Sequence, residues 1–373
     1  MTTMALPSVR SNRLVFWGAI GLVIVIVSAL ALALNVPYLA SFIDWVVNRV
    51  PPNFALILRY AVPIAFGGLC GLMCERSGVT NIGIEGMMLT AAFVGFLAGA
   101  YAGPVIGVPW GALVGVLCAV LAAMLLSALH AWLSITVKAD QIISGTVINI
   151  LALGGTAFFN QLLVSTTGLS GTPVLPRPDV PAEIATVPIV GPVLNGLFQQ
   201  GPIATSLVFI VLFLQFMLFR SRWGLRTRAV GEHPEAADTV GINVYLVRYR
   251  NVILGGVFAG LGGAFLTLEQ QNAFQDGMTG GIGFIGLAAM IFGRWNPIGT
   301  FAAALLFGAV QSSQLTMRIT PPTGELGDFV ATIPPQVYGM APYVFTIIVL
   351  AGVMGRAIAP AADGIPYDKE ART

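Results

Sequence analysis

The chain has 373 residues, 56% of them hydrophobic and only 9% charged, with a formal net charge of +2 and a mean hydropathy of +0.86. So few charges in so long a chain exclude an ordinary soluble domain and point to a lipid-embedded protein, with no nucleic-acid partner expected. Several apolar runs reach the roughly 20 residues that cross a bilayer as a helix, and they do not alternate as barrel strands do. The expected fold is an all-α integral membrane protein of about ten transmembrane helices in two inverted-topology repeats.

A short basic tail, residues 1–14, leads into a first span at Val15–Leu34. That run is too long for a signal-peptide core and no small-residue cleavage site clearly follows, so a retained helix is expected. The next spans are Phe54–Cys74, with a kink expected at Pro63, then Met87–Ala102, Val108–Thr136 and Ile142–Val164. Residues 165–201 form a long loop rich in Pro and Gly. Ile203–Phe219 leads into a polar stretch, 220–250, that holds Arg220, Arg222, Arg226, Arg228, Arg248 and Arg250. Asn251–Leu268, a short Gly283–Phe292, Ile298–Met317 and Val337–Gly355 complete the spans, and residues 356–373 form a second tail. The membrane-spanning body is therefore 15–355, with one repeat at about 54–164 and the other at about 251–355.

Orientation follows from the charges. With the N-terminus inside, fourteen of the eighteen Lys and Arg residues face the cytoplasm, and only Arg49, Arg59, Arg177 and Arg318 face outward. The positive-inside rule demands this asymmetry, so both tails are expected to be cytoplasmic. The 220–250 stretch is then a cytoplasmic loop with a short helix in it. Pro234 suits the first helical position, Glu235, Ala236, Ala237 and Asp238 follow, and Gly241 offers a left-handed stop. Such a helix, presenting His233 to Thr239, reads as a docking element; the alternative is an ordinary re-entry loop.

The repeat rests on two motifs. Gly68-Leu69-Cys70-Gly71 recurs as Gly260-Leu261-Gly262-Gly263, and Ile82-Gly83-Ile84-Glu85-Gly86 as Ile282-Gly283-Phe284-Ile285-Gly286. Five spans separate the copies, an odd number, which inverts one half relative to the other. Chance similarity between Gly-rich helices is the competing explanation. Polar residues near the Gly-rich breaks are pathway candidates, because buried polar groups in a membrane face a cavity or a partner. They are Asn81, Glu85, Gln141, Ser144 and Glu269, with the apolar Met87 and Met278 beside the same breaks as wall candidates. Glu85 has a second available role, complementing a helix N-terminus. Glu75, Arg76, Lys138 and Asp140 read as helix-end residues. The buried pair Cys70 and Cys74 reads as helix packing.

No phosphate-binding loop, nucleophile elbow, voltage-sensor array or metal-ligand spacing is present, so neither covalent chemistry nor a cofactor is expected of the chain alone. Transport energy must come from an ion gradient or from a separate ATPase. Four stretches resemble one family: Cys74 to Phe93, Ala139 to Ala152, Gly231 to Glu269 and Gly277 to Thr300. They look like the permease subunit of bacterial ABC importers of the branched-chain amino acid and ribose type, and most like its nucleoside-importing branch. GGIGF at Gly280 to Phe284 departs from that pattern, where a basic or polar residue is expected among the glycines.

The resemblance implies a set of partners in the bacterial inner (plasma) membrane. They are a second permease subunit, commonly a paralogue in a heterodimer, two cytoplasmic ATP-binding subunits, and an extracytoplasmic substrate-binding lipoprotein. It also implies that His233, Pro234, Glu235, Ala236, Ala237, Asp238 and Thr239 form the coupling helix that seats in the ATPase. The rival readings are the same machinery carrying branched-chain amino acids or a sugar, an ion-coupled transporter using Glu85 and Glu269, and a passive channel.

Overall fold

The computed structural model describes residues 53–164, 171–177, 200–340 and 357–369 and a few isolated positions. The expected spans at Val15–Leu34 and Val337–Gly355 lie wholly or mostly outside them. The described residues are helical, with no strand among them, and seven helices are long and apolar enough to cross a membrane. We number the helices in chain order: α1 Phe54–Glu75, α2 Ile84–Ile106, α3 Val108–Ala131, α4 Gln141–Phe159, α5 Pro202–Arg220, α6 Arg222–Glu232, α7 Pro234–Thr239, α8 Val244–Phe265, α9 Ile282–Phe292, α10 Pro297–Ile319, α11 Glu325–Thr332 and α12 Pro335–Gly339. Wider π turns extend three of them, at Trp132–Thr136, Asn160–Val164 and Leu266–Gln271.

The chain divides into two compact units. The smaller holds residues 313–340 among those described, where the Tyr338 hydroxyl donates to the Val330 carbonyl at 2.6 Å and ties α12 to α11. The larger holds 53–312 and the C-terminal segment, and all the chemistry below lies in it.

At the centre of the larger unit stands α1. From Ala61 to Glu75 every residue is buried, so this helix has no lipid face. It packs against α8 and α9, while α8 also packs against α2 and α3. Small residues make these approaches possible, since helices in lipid gain from close van der Waals contact rather than from hydrophobic burial. A Cβ on Gly286 of α9 would lie 2.8 Å from the Gly68 nitrogen, and one on Gly263 of α8 would lie 2.3 Å from the Met88 carbonyl of α2. By contrast α3 and α4 carry exposed apolar faces, including Leu117, Leu121, Leu125, Ile150 and Leu151.

Two boundaries differ from the expectation. α2 begins at Ile84 rather than Met87, so Glu85 lies in its first turn. The arginine stretch is mostly helix. Ser221 Oγ accepts from the Gly224 amide and starts α6; Asn243 Oδ1 accepts from the Leu246 amide and starts α8 seven residues before the apolar run. Arg248 and Arg250 thus ride on the spanning helix itself. Pro234 takes the first position of α7, and Gly241 sits at φ +82° just beyond it, as the pattern predicts.

Gly286→Ala is expected to destabilise the protein by about 1–3 kcal/mol through overpacking against α1. Gly154→Ala, where an added Cβ meets nothing within 4 Å, should not. Thermal unfolding in detergent compares the two.

Candidate functional site

Two interruptions of helical backbone meet in this unit. The first joins α1 to α2. Its chain turns at Gly78, φ +85°, and runs without helical bonds to Gly83. Backbone that leaves a helix inside a membrane must find new partners, because no lipid group can serve. Side chains supply them. Gln141 Oε1 accepts from the Thr80 amide at 2.7 Å, and His130 Nε2 bonds the Thr80 carbonyl at 3.0 Å. A carbonyl only accepts, so Nε2 carries a proton; Nδ1 meets Ser144 Oγ at 3.0 Å. Asn149 donates to the Ile82 carbonyl and accepts from the Gly86 amide, bridging the break from both sides. Asn81 turns inward: its Oδ1 accepts from the Gly83 amide, and its Nδ2 faces the sulfurs of Cys74 and Met87 at 3.5 and 3.6 Å.

The second interruption, residues 272–281, joins the π turn after α8 to α9. It is built of successive turns, Met278 amide to Gln275 carbonyl, Gly280 to Gly277 and Ile282 to Thr279. Gly281 then adopts φ +89° before α9, a conformation that glycine adopts without Cβ strain. With 11 residues, α9 spans about 16 Å, roughly half the hydrocarbon core. Its N-terminus abuts the start of α2. There Glu85 accepts from the Gly281 amide with Oε1 and from the Gly283 amide with Oε2, each at 2.7 Å. A carboxylate on the positive end of a helix is the favourable pairing, and both bonds are charge-assisted. Glu85 therefore does complement a helix N-terminus, but that of α9, nearly two hundred residues away.

The seven candidate pathway residues separate into groups. Asn81, Met87, Gln141 and Ser144 are buried and hold the first break from behind. Glu85 and Met278 are half-buried at the second, beside the exposed Gln275, Gly280 and Phe284. Glu269 is apart from both. It lies in the π turn at the far end of α8 and accepts from the Ile203 and Ala204 amides, capping α5. That turn frees backbone carbonyls, and an extended segment satisfies them: the Thr172 amide donates to Asn272 and the Leu175 amide to Leu268. Cys70 and Cys74 pack against Gly255 of α8. Among the described residues no three His, Cys, Asp or Glu side chains could hold a metal ion.

His130 and Asn149 carry as much of the first break as Gln141 does. The sequence offered one usable signal for the former, an imidazole in the middle of an apolar run; its partner Thr80 lies fifty residues away and gave none.

At the opposite end α7 is exposed at His233, Glu235, Ala236 and Thr239 and anchored by the buried Ala237. Arginines stiffen its base: Arg250 stacks on Trp223 at 4.5 Å, and Arg76 and Arg228 both lie over the Phe219 ring. Burial lowers the Arg76 guanidinium below its usual value, and the charge of Glu232 opposes this. The C-terminal segment folds back here. Asp363 accepts from Thr80 Oγ1 at 3.1 Å. Burial pushes the Asp363 carboxyl up to about 6, against the lowering effect of its hydrogen bonds to Thr80 and Glu75. Glu75 also accepts from Trp295 Nε1 at 2.6 Å, and Asp140 caps α4 through the Ile142 and Ile143 amides. These two are helix-end residues, as expected.

Glu85→Ala leaves two α9 amides without their acceptor and is expected to cost about 2–4 kcal/mol. Glu85→Gln, with one acceptor oxygen, should fall between it and the native protein. Unfolding followed by tryptophan fluorescence in detergent measures both.

Residues 53–350 match the family described as branched-chain amino acid transport system / permease component. The chain is 42% identical over 318 residues to the guanosine ABC transporter permease protein NupQ of Bacillus subtilis, covering 84% of this chain and 96% of that one. It is 38% identical over 325 residues to the nucleoside ABC transporter permease protein NupC of Lactococcus lactis, covering 87% and 99%. A shorter stretch of 105 residues is 32% identical to a second guanosine permease of Bacillus subtilis, NupP, covering 28% and 30%. No solved structure matches. Matched over most of its length and carrying seven helices fit to cross a membrane, the chain belongs to the branched-chain amino acid transport system permease family.

Proposed function

We propose that the chain is the membrane-spanning permease subunit of an ATP-driven importer of nucleosides. The observation that carries this is its likeness, over nearly their whole lengths, to two permeases named for guanosine and for nucleosides. The chain forms the passage, and separate cytoplasmic subunits hydrolyse ATP. It sits in the bacterial inner membrane with both termini in the cytoplasm, ten helices over residues 15–355, and inverted repeats at about 54–164 and 251–355. The packing supports the repeats. Gly68 of α1 lies against Gly286 of α9, and Gly263 of α8 against Met88 and Ala91 of α2. Each half's first helix thus touches the other half's broken partner.

A nucleoside is neutral at physiological pH, so its passage needs hydrogen-bonding groups and apolar walls rather than fixed charge. The break around Glu85 and Met278 offers exposed turn backbone, the Gln275 amide and the Phe284 ring. Asn81, Met87, Gln141 and Ser144 hold the neighbouring first break, and Glu269 holds the far end of α8 against α5. This favours ATP over an ion gradient. Each carboxylate an ion-coupled carrier would use, Glu85 and Glu269, already accepts two helix amides, and a cation would have to displace them.

The coupling helix is His233 to Thr239 with α7 as its core, seated in a cleft of the ATPase. A second permease, a paralogue, completes the passage; two permeases named for guanosine, NupQ and NupP, in one organism support this by analogy. An extracytoplasmic lipoprotein delivers the substrate. Closure of the ATPase pair on ATP moves α7 and tilts the halves, opening the passage inward.

The test is ATP-dependent uptake of labelled guanosine in vesicles by the intact complex and by the exposed double variant Glu235→Arg, Ala236→Arg. The expected outcome is uptake by the first, and by the second a loss of about ten-fold or more with loss of ATPase co-purification. Full uptake by the variant contradicts the coupling assignment. No guanosine uptake by the intact complex, with uptake of an amino acid or sugar instead, contradicts the substrate.

A further inference from the structure

The C-terminal segment, residues 357–369, is a strap that joins three parts of the cytoplasmic face. Toward the coupling region, the Ala362 amide donates to the Gly231 carbonyl at 2.9 Å and the Ala361 amide to Glu232 at 3.2 Å. Toward the first break, Asp363 holds Thr80, and the Ala362 carbonyl lies so near Gly78 that a Cβ there would be 3.0 Å from it. Toward α8, Arg248 Nη1 donates to the Ile365 carbonyl at 2.8 Å. Tyr367 then inserts beside Val230, Ala237, Val244 and Val247, its ring 5.4 Å from that of Tyr245.

Magnitudes decide which contacts hold it. Lys369 to Asp238 and Lys138 to Asp368 are ion pairs at 3.4 and 2.7 Å that each keep at least one side chain partly in solvent, worth about 0–1 kcal/mol each. The buried contacts weigh more. Arg248 is 1% exposed and its charge is sealed by the strap; Tyr367 and Ala362 are buried with it. Ala237, the single buried residue of α7, belongs to the same apolar cluster as Tyr367. The coupling helix and the strap therefore share one core.

α6 closes directly on the first break, where a Cβ on Gly231 would lie 2.4 Å from the Arg76 carbonyl. The strap supplies hydrogen bonds to both sides of that gap. We propose that the strap is a coupling element in its own right: it makes α7 and the Gly78–Thr80 loop move as one body, with Asp363 as the residue that positions the loop. This rests on reading α7 as the place where the ATPase docks. It adds a second route from the ATPase to the passage, one that reaches α1 and α2 as well as α8.

The experiment uses the full transporter, with ATPase and binding protein, in liposomes, and reads guanosine accumulated per ATP hydrolysed. Three variants are compared with the native chain: removal of residues 361–373, Asp363→Ala and Asp363→Glu. The ATPase is expected to co-purify with all three. Transport per ATP should fall about ten-fold on removal and about three-fold for Asp363→Ala, with Asp363→Glu recovering most of the loss. A shortened chain that keeps its ATPase and transports normally per ATP overturns the proposal. Should the shortened chain not assemble, a Thr80→Cys, Asp363→Cys pair in a chain with Cys70, Cys74 and Cys118 replaced by alanine decides. Transport that survives disulfide formation supports one moving body; transport lost on oxidation and restored on reduction overturns it. Failure of the native complex to accumulate guanosine falls on the substrate alone, since stimulation of ATP hydrolysis by the binding protein still reports on the strap.

Discussion

Everything around the passage depends on where a helix is allowed to begin inside a membrane. The first amides of any helix lack intrahelical acceptors, and hydrocarbon provides none. α9 is an apolar helix too short to cross alone, and Glu85 answers for its start with two bonds of 2.7 Å to the Gly281 and Gly283 amides. Charge-assisted bonds are worth about 1.5–3 kcal/mol each, and the dipole of the helix adds to them. An 11-residue helix has little stability by itself, so this carboxylate and the flat contact of Gly286 on Gly68 are what keep α9 in register. Because Glu85 lies in the first turn of α2, the same side chain ties the two interrupted segments together.

The first break meets the same constraint with neutral groups. Gln141, Asn149 and His130 between them satisfy both backbone groups of Thr80, the carbonyl of Ile82 and the amide of Gly86. These come from α3 and α4, helices whose other faces are exposed and apolar. Their role is to hold polar backbone in place on one side while meeting lipid or a partner on the other. A break held by fixed side chains of two neighbours can shift only if those neighbours shift too. Rigid groups of helices moving against each other, rather than a local rearrangement, follow from that geometry.

Much of this was readable in the residues. Long apolar runs located the described spans, Pro234 and Gly241 bracketed α7, and Asn81 with Glu85 marked the first break. The limits were physical. Arg248 and Arg250 look like the end of a polar loop, yet α8 begins after its Asn243 cap, seven residues before Asn251, and protein surrounds Arg248. Glu269 looked like a pathway carboxylate and is a cap for α5, a pairing set by tertiary packing. His130 with Thr80, and Asp363 with Thr80, join residues far apart in the chain. Periodicity reports which face of a helix is apolar and cannot report which distant backbone group a polar side chain will satisfy. The charged tail beyond Gly355 offered no periodic pattern for the strap.

The central claim is that the junction of α2 and α9 faces water rather than lipid. Its most direct test is the reactivity of single cysteines toward a membrane-impermeant maleimide in sealed vesicles of the assembled transporter, with the native cysteines replaced. Phe284→Cys, exposed in the first turn of α9, should react and should be protected by guanosine, whereas Leu125→Cys, exposed on the apolar face of α3, should stay unreactive. An inert Phe284→Cys beside an assembled, ATP-hydrolysing complex would contradict the account, because the start of α9 would then be sealed from the passage it is held to line.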